Sequence, residues 1–493
     1  VFQQFQRPIN QLLLDSSDIY YIAAAVTMGF ATACSEDFIN KTPDLKVTEA
    51  SIFGSATRLE AAVEGVYTAL KGSDDVSDGY FLGGFATLAG DNRSDDMINY
   101  GNNGYTMRDT YSHAVNASSI ENDALFRNAY LAINYANTII DGIEKTYANS
   151  LPCDAETARR YVQECKFVRA ISYYYLSQLY GLPYKTDPNA SNVPLRIEAV
   201  TGAGHNACPA STISEVFKQI LADTEEIDAL PANYESSGFS STKASQASAH
   251  ALRMRVYMCM ENWDAAIAEG DAITGFSLIS SIATMFDAPY ALTAENIFSI
   301  PMSESDKSNS QTHPVGYFYH EAGQITVVNN INGIATTYGI KGDARTNFLY
   351  TDERGYMYCE KYNERSTRYE WIPVFRYAEI LLNLAECYYN KDNEPMALKY
   401  VKEVRTRSIP ADQDPLVTYT ETGEALWTVI DNECRWEFMA EGLRGYDISR
   451  RAENYRHPQT DGSWTIVATP SDKTTYCWSF PLYETTVNTA LSE

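Results

Sequence analysis

Positive charge is scarce in this chain: 38 Lys and Arg stand against 64 Asp and Glu, a formal net charge of −26 over 493 residues. There is no long basic run either. Nucleic acid is therefore excluded as a partner, because phosphate backbones are held by clustered Lys and Arg, and anionic head groups are disfavoured for the same reason. Spaced ligand motifs are missing too. The cysteines form no CxxC pair, the six histidines no HExxH, and no serine sits in GxSxG, so neither a zinc site nor a hydrolase elbow can be written from spacing. GAGHNA at 202–207 matches a dinucleotide fingerprint by letter only, since Pro209 follows and no strand–helix unit surrounds it. Enzyme chemistry and cofactors have no positive support. Long apolar runs are the last absence: beyond residue 33 none approaches the ~18 residues a spanning helix needs.

What is present begins at 22–43, IAAAVTMGFATACSEDFINKTP, where an apolar run ends in small residues and a cysteine and then turns acidic. A run of about a dozen apolar residues suits the h-region of an export signal, with Ala31, Thr32 and Ala33 as cleavage-site residues. Cys34 then becomes the first mature residue. The pattern resembles a bacterial lipoprotein signal, in which the cysteine thiol carries lipid and its amine is acylated, and several chains anchor stably where one is marginal. Residues 1–33 are expected to be this signal segment, with residues 1 to about 18 the product of a misassigned translation start.

Helical periodicity dominates the remainder, residues 34–493. Leu59, Ala62, Val63, Val66 and Leu70 make one stripe, Ala129 to Ile143 a second, and Phe167, Ala170, Ile171, Tyr174 and Tyr175 a third. Thr212 and Glu215 read as a capping box opening a helix whose stripe is Val216, Phe217, Ile220 and Ile227. Two further segments have the pattern of tetratricopeptide helix pairs: Tyr257 lies nine residues before Ala266, and Tyr388 nine before Ala397. The two units lie far apart in sequence, so helix pairs must be scattered along the chain and brought together in space. Cys165, Cys259, Cys387 and Cys434 fall within helical patterns and read as small buried hydrophobes, whereas Cys153 and Cys208 lie in loops. Stretches at 72–120, 181–211 and 274–371 lack helical period and are expected to be loops with short strands and hairpins, a length that in compact domains points to function.

Five segments in order, CSEDFINKTPDLKVTEASIFGSATRLEAAVEGVYTAL, FRNAYLAINYANTIIDGI, ECKFVRAISYYYLSQLYGLP, RYAEILLNLAECYYN and NECRWEFMAEGLRGYDISRR, make the mature chain resemble the SusD/RagB outer-membrane lipoproteins of Bacteroidetes. The EGxRxxDxxR run at 441–450 is the most characteristic piece, and Ser35, Glu36 and Asp37 resemble the family's surface-export signal. The resemblance implies a mostly α-helical SusD-like fold with scattered tetratricopeptide-like helix pairs, and a single unit over 34–493 with an N-terminal part (34–235) and a C-terminal part (236–493). It also implies a surface-exposed protein anchored to the outer membrane by lipid on Cys34. Such a protein acts as a lid on a SusC-like TonB-dependent transporter and captures nutrient without catalysis. The ligand is most often a glycan; a peptide, as in RagB-type relatives, or a purely protein-binding tetratricopeptide scaffold stays open.

Candidate residues follow from what each ligand demands. Glu433, Arg435, Glu437, Glu441, Arg444 and Asp447 could suggest paired-carboxylate catalysis, but so many opposite charges on one helix and its following turn read better as a structural ion-pair network, as do Arg376, Glu379 and Glu386. Sugars present apolar faces and hydroxyl edges, so a sugar site needs aromatic rings beside Arg, Asn or Asp. The Gly-rich segment 90–111 offers Arg93, Asp96, Asn99, Tyr100 and Tyr105, at the position of a ligand-binding loop in starch-binding relatives. Tyr317, Tyr319 and Tyr338 offer a second wall.

Overall fold

The structure is a computed structural model that describes residues 49–72, 81–101, 106–202, 207–232, 241–286, 293–303, 315–320, 325–328, 333–337, 342–362, 370–416 and 419–491. Cys34, Tyr105, Tyr338 and most of the 202–207 glycine segment lie outside these residues. The longer helices are α1 (Ala56–Lys71), α2 (Ala86–Asn92), α3 (Ile120–Asp141), α4 (Ala155–Tyr180), α5 (Ile213–Asp223), α6 (Gln246–Cys259) and α7 (Trp263–Ala272). They continue with α8 (Tyr377–Asn390), α9 (Glu394–Ser408), α10 (Gly423–Glu437) and α11 (Leu443–Arg450). Among the described residues ten short strands accompany them: β1 (Met97–Asn99), β2 (Ser191–Pro194), β3 (Ala210–Thr212), β4 (Asn296–Ile300) and β5 (Ile325–Val327), then β6 (Leu349–Thr351), β7 (Met357–Cys359), β8 (Ile372–Arg376), β9 (Tyr455–Pro458) and β10 (Trp464–Ala468).

Local chemistry sets the helix starts. Ser55, Asp154 and Thr212 each accept a bond from a backbone N–H three residues on, and Thr212 with Glu215 forms the reciprocal capping box. The helix so opened stops at Asp223, so Ile227 sits in a separate turn and not on its stripe. Both expected helix pairs form, α6–α7 and α8–α9. Each is joined by the same turn, a residue at positive φ (Glu261, 54°; Asp392, 55°) followed by an Asn whose side chain caps the next helix. The pairs also meet: α7 packs on α8, and a Cβ on Gly270 would stand 2.9 Å from a Leu384 methyl. The small residue is what lets the two helices approach.

One apolar core runs from Phe53 to Trp478 and takes in both halves of the chain. Its centre is α3 against α4, with the sequence stripes inward. Cys165, Cys259, Cys387 and Cys434 are buried and free, and Cys153 and Cys208 are half-buried and free. Every Cys thiol for which a shift is resolved is pushed up by burial.

One expected loop is partly helical. Residues 81–92 form an irregular helical turn and then α2, all buried. The sequence FLGGFATLAGDN conceals it because three glycines lower helix propensity and burial on every side erases the amphipathic period. Close packing explains Gly90: a Cβ there would lie 1.8 Å from the Gly442 carbonyl oxygen, and one on Gly445 would lie 2.0 Å from that of Gly90. Gly442 itself has φ 79°, at the start of α11. The glycines of the EGLRG run are thus the seat on which α2 crosses α11.

Candidate functional site

The C-terminal motif builds the most highly charged part of the interior, and it is closed. Arg376 donates to Glu295, Glu437 and Glu441 at 2.6–2.7 Å, and Arg345 to Asp343, Glu433 and Glu437 at 2.5–3.0 Å. Arg405 links Glu433 to Asp414, Arg407 joins Glu295 to Glu437, and Lys361 bonds Glu441. Burial alone would raise Glu437, but Arg407, Arg376 and Arg345 outweigh it and hold it below the usual carboxylate range. A second net crosses α11. Glu386 accepts from Arg450 and Arg451, Asp431 from Arg444 and Arg451, and Asp95 from Arg444 and Arg456. Glu386 likewise stays low, its burial outweighed by Arg450 and Arg451. Carboxylates so fully paired offer no lone acid or base to a substrate. The charges instead fasten α10 and α11 to α8, α9 and the loops at 91–96 and 343–361.

The sequence candidates divide between interior and surface. Arg93 is buried, donates to the carbonyls of Gln178 and Tyr476 and lies 4.6 Å over the Tyr455 ring. Asp96 is buried against Arg435 at 2.5 Å, its carboxyl raised by burial against that pairing. Asn99 donates to Asn92 and to the Thr106 carbonyl and accepts from the Gly101 N–H. Tyr319 is buried and donates to Asp91. Arg93, Asp96, Asn99 and Tyr319, expected to touch ligand, are thus buried and bonded to neighbours inside the protein. Tyr317 is half-buried, edge-on to Phe318. Tyr100 alone of the described candidates is exposed, at 47%.

Near Tyr100 the two segments that hold the sequence candidates meet in one sheet. β1 pairs antiparallel with β5, β5 with β7 and β7 with β6, so the 90–111 and 317–338 segments are hydrogen-bonded neighbours in a four-stranded sheet. The Tyr100 ring lies 4.7 Å from Tyr356, the residue before β7, and its hydroxyl is bonded by Thr326 of β5. Burial of its inner edge raises the phenol above its ordinary value. Arg354 lies 5.1 Å over Tyr356, donates to the Tyr358 hydroxyl at 3.0 Å and pairs with Asp352 at 2.6 Å. A tight turn at 352–355, with Gly355 at φ 88°, sets these groups on the sheet.

Such a surface has an open aromatic face with hydrogen-bonding groups at its margin, the complement of a sugar ring. Tyr356, Tyr350, Tyr358 and Arg354 were not among the sequence candidates. The signal was there in YTDERGYMYC at 350–359, aromatic residues alternating about a turn sequence.

Comparison with known proteins agrees with the fold. A profile described as the SusD family matches residues 304–488, and one described as starch-binding associating with outer membrane matches residues 37–258. The crystal structure of a SusD superfamily protein from Bacteroides fragilis is 38% identical, covers 90% of this chain and 100% of its own, and superposes with a TM-score of 0.82. A SusD-like carbohydrate binding protein from Bacteroides vulgatus, 18% identical, covers 89% of this chain and 98% of its own with a TM-score of 0.73. A SusD-like protein of Formosa agariphila is 20% identical over 88% of this chain and 90% of its own length.

Proposed function

The chain belongs to the SusD family, and on that premise we propose that it is a surface lipoprotein that binds a glycan and delivers it, without catalysis, to a SusC-like TonB-dependent transporter of the outer membrane. Relatives in the family are described by starch or carbohydrate binding and by association with the outer membrane. The observation that brings glycan binding to this chain is the exposed Tyr100 ring set 4.7 Å from Tyr356, with Arg354 and Asp352 beside it. Apolar sugar faces stack on the rings, and hydroxyls bond to the Arg354 guanidinium, which Asp352 orients. The pairing of the interior carboxylates with arginines supports binding in place of hydrolysis, which needs an accessible acid and base. Lipid on Cys34 holds the protein at the membrane, and the acidic residues after it carry it to the outer face.

Affinity electrophoresis of the mature chain through gels containing single polysaccharides tests the reading. At least one polymer retards the protein, and Tyr100→Ala releases it. Pull-down from outer membranes recovers a large transporter barrel. Retardation by no polysaccharide, with capture of a mixed peptide pool instead, would move the ligand from sugar to peptide.

A further inference from the structure

We propose that the turn at 107–113 is an acid-opened latch: His113 and His457 hold it closed on the β9–β10 hairpin while both imidazoles are neutral, and it lets go when they take up protons. The inference goes beyond the glycan reading and does not depend on it.

Geometry singles out this turn. It is bounded by two residues other than glycine in the left-handed region, Met107 at φ 58° and His113 at φ 51°, a backbone that its contacts must hold in place. Tyr111 lies flat on His457 of β9, ring centroids 4.1 Å apart and 6° from parallel, and His113 lies 4.6 Å from Tyr455 and 5.9 Å from His457. One ring nitrogen of each imidazole bonds to a backbone carbonyl, that of Thr475 for His113 and that of Tyr111 for His457. Both Nε2 atoms are buried with no hydrogen-bond partner among the described residues. A third such atom is Oε2 of the fully buried Glu121, whose other oxygen accepts from the Thr110 N–H of the same turn. A neutral imidazole leaves only a bare acceptor at Nε2. Protonation makes it a buried donor and a charge, with nothing in place to receive either.

The groups around the pair do not compensate. Arg93 opposes a charge on His113, and Arg108 one on His457. Arg456, next to His457, already holds Asp95 at 2.7 Å, and Asp109 accepts from the Ser119 hydroxyl at 2.7 Å. Burial raises Tyr111, Tyr455, Tyr476 and Cys477, so all stay neutral in acid. Glu121, raised by burial to about 7, keeps its proton there and supplies no counter-charge. Burial pushes both histidines down, His457 to about 4. Water restores the ordinary value near ~6.5 once the turn opens. The closed form is therefore favoured fully above that value and loses ground as pH falls toward about 4. Release also reaches the tyrosine face, because Arg108 donates at 2.6 Å to the carbonyl of Asn99, the residue before Tyr100.

Amide hydrogen exchange of the mature chain, read by mass spectrometry at about pH 7.5 and about pH 5 with times scaled for the intrinsic rate, tests the latch. Protection over 107–116 and 455–468 is expected to fall about tenfold or more at the lower pH, with α3 and α4 unchanged. The double variant His113→Asn/His457→Gln, in which Asn tolerates the left-handed backbone, is expected to be equally protected at both. Unaltered wild-type protection, equal loss in α3 and α4, or a double variant that loosens in acid like wild type would overturn the proposal. Exchange at the imidazole C2 position reads the same point in wild type with no substitution. His113 and His457 are expected to titrate below ~6.5, and ordinary titration of both would equally overturn it.

Discussion

The ion-pair interior around α10 and α11 and the tyrosine face across β1, β5, β7 and β6 are both built from polar and aromatic side chains gathered from distant parts of the sequence, yet they do opposite work. In the first, each carboxylate described above has an arginine or lysine partner and most of the residues are buried; in the second, Tyr100 and Tyr350 leave a large part of their rings in water. Buried and paired groups hold a fold together, whereas rings exposed beside hydrogen-bonding groups present a face that a ligand can cover. Chemical richness alone does not distinguish framework from site. Exposure does.

Substitutions should split the two regions by what they damage. The largest effect is expected for Arg376→Ala, which leaves Glu295, Glu437 and Glu441 short of a partner in the interior. Breaking a buried pair from one side costs about 3–5 kcal/mol, so the variant should accumulate poorly and unfold well below wild type in a thermal melt. Arg376→Lys should recover only part of this, because an ammonium cannot match the forked geometry. Full stability of Arg376→Ala would show that the network is not what fastens α10.

Gly90→Ala comes next. Its methyl would meet the Gly442 carbonyl, and overpacking of this kind costs about 1–3 kcal/mol. Thermal unfolding should shift down accordingly. An unchanged midpoint would mean that α2 and α11 separate more readily than their contact implies.

Tyr100→Ala should do the reverse, leaving the melt unchanged while weakening glycan binding about tenfold, or ~1.4 kcal/mol, as expected for one aromatic stacking contact. A fallen melting point with unaltered affinity would place Tyr100 in the framework beside Tyr319.

The smallest effect is a change of pH slope. Burial raises the Asp91 carboxyl from 3.8 to about 7, against bonds from Tyr319 and the Gly442 N–H, with Asp96 and Lys361 also acting on it. A raised carboxyl contributes stability that is full below its unfolded value and lost as pH rises through the folded one. Asp91→Asn carries no such titration, so its stability relative to wild type should improve from about pH 4 to about pH 7 and level off above. Glu386 and Glu437, held low, behave oppositely, their contribution vanishing in acid in both proteins. Parallel pH profiles for wild type and Asp91→Asn would show that Asp91 is already charged across this range.

The helical frame was legible because its signals are local. Stripes at 59–70 and 167–175, the Thr212–Glu215 box and the nine-residue spacings of the helix pairs all depend on residues a few positions apart, and all of them form. Reading the C-terminal motif as structural also succeeded, since charges that dense and that mixed in sign must neutralise one another when buried. Long-range partners were invisible. Nothing near Arg93 in sequence announces Tyr455 or the Tyr476 carbonyl, nor does anything near Asp96 announce Arg435, so the burial of these side chains against distant partners could not be read in advance. Helix α2 escaped for a related reason, its Gly90 being required by a partner about 350 positions away. The pairing of β1 with β5 is of the same kind: each segment suggested a wall, but only the register showed that they are one surface.

The central claim is that this surface, and not the charged interior, is where ligand binds. Calorimetric titration of the retained polysaccharide against the double variant Tyr100→Ala/Tyr356→Ala, with a thermal melt of the same sample, tests it most directly. The account predicts loss of measurable binding with an unchanged melting point. Wild-type affinity in a double variant that is still folded would contradict it.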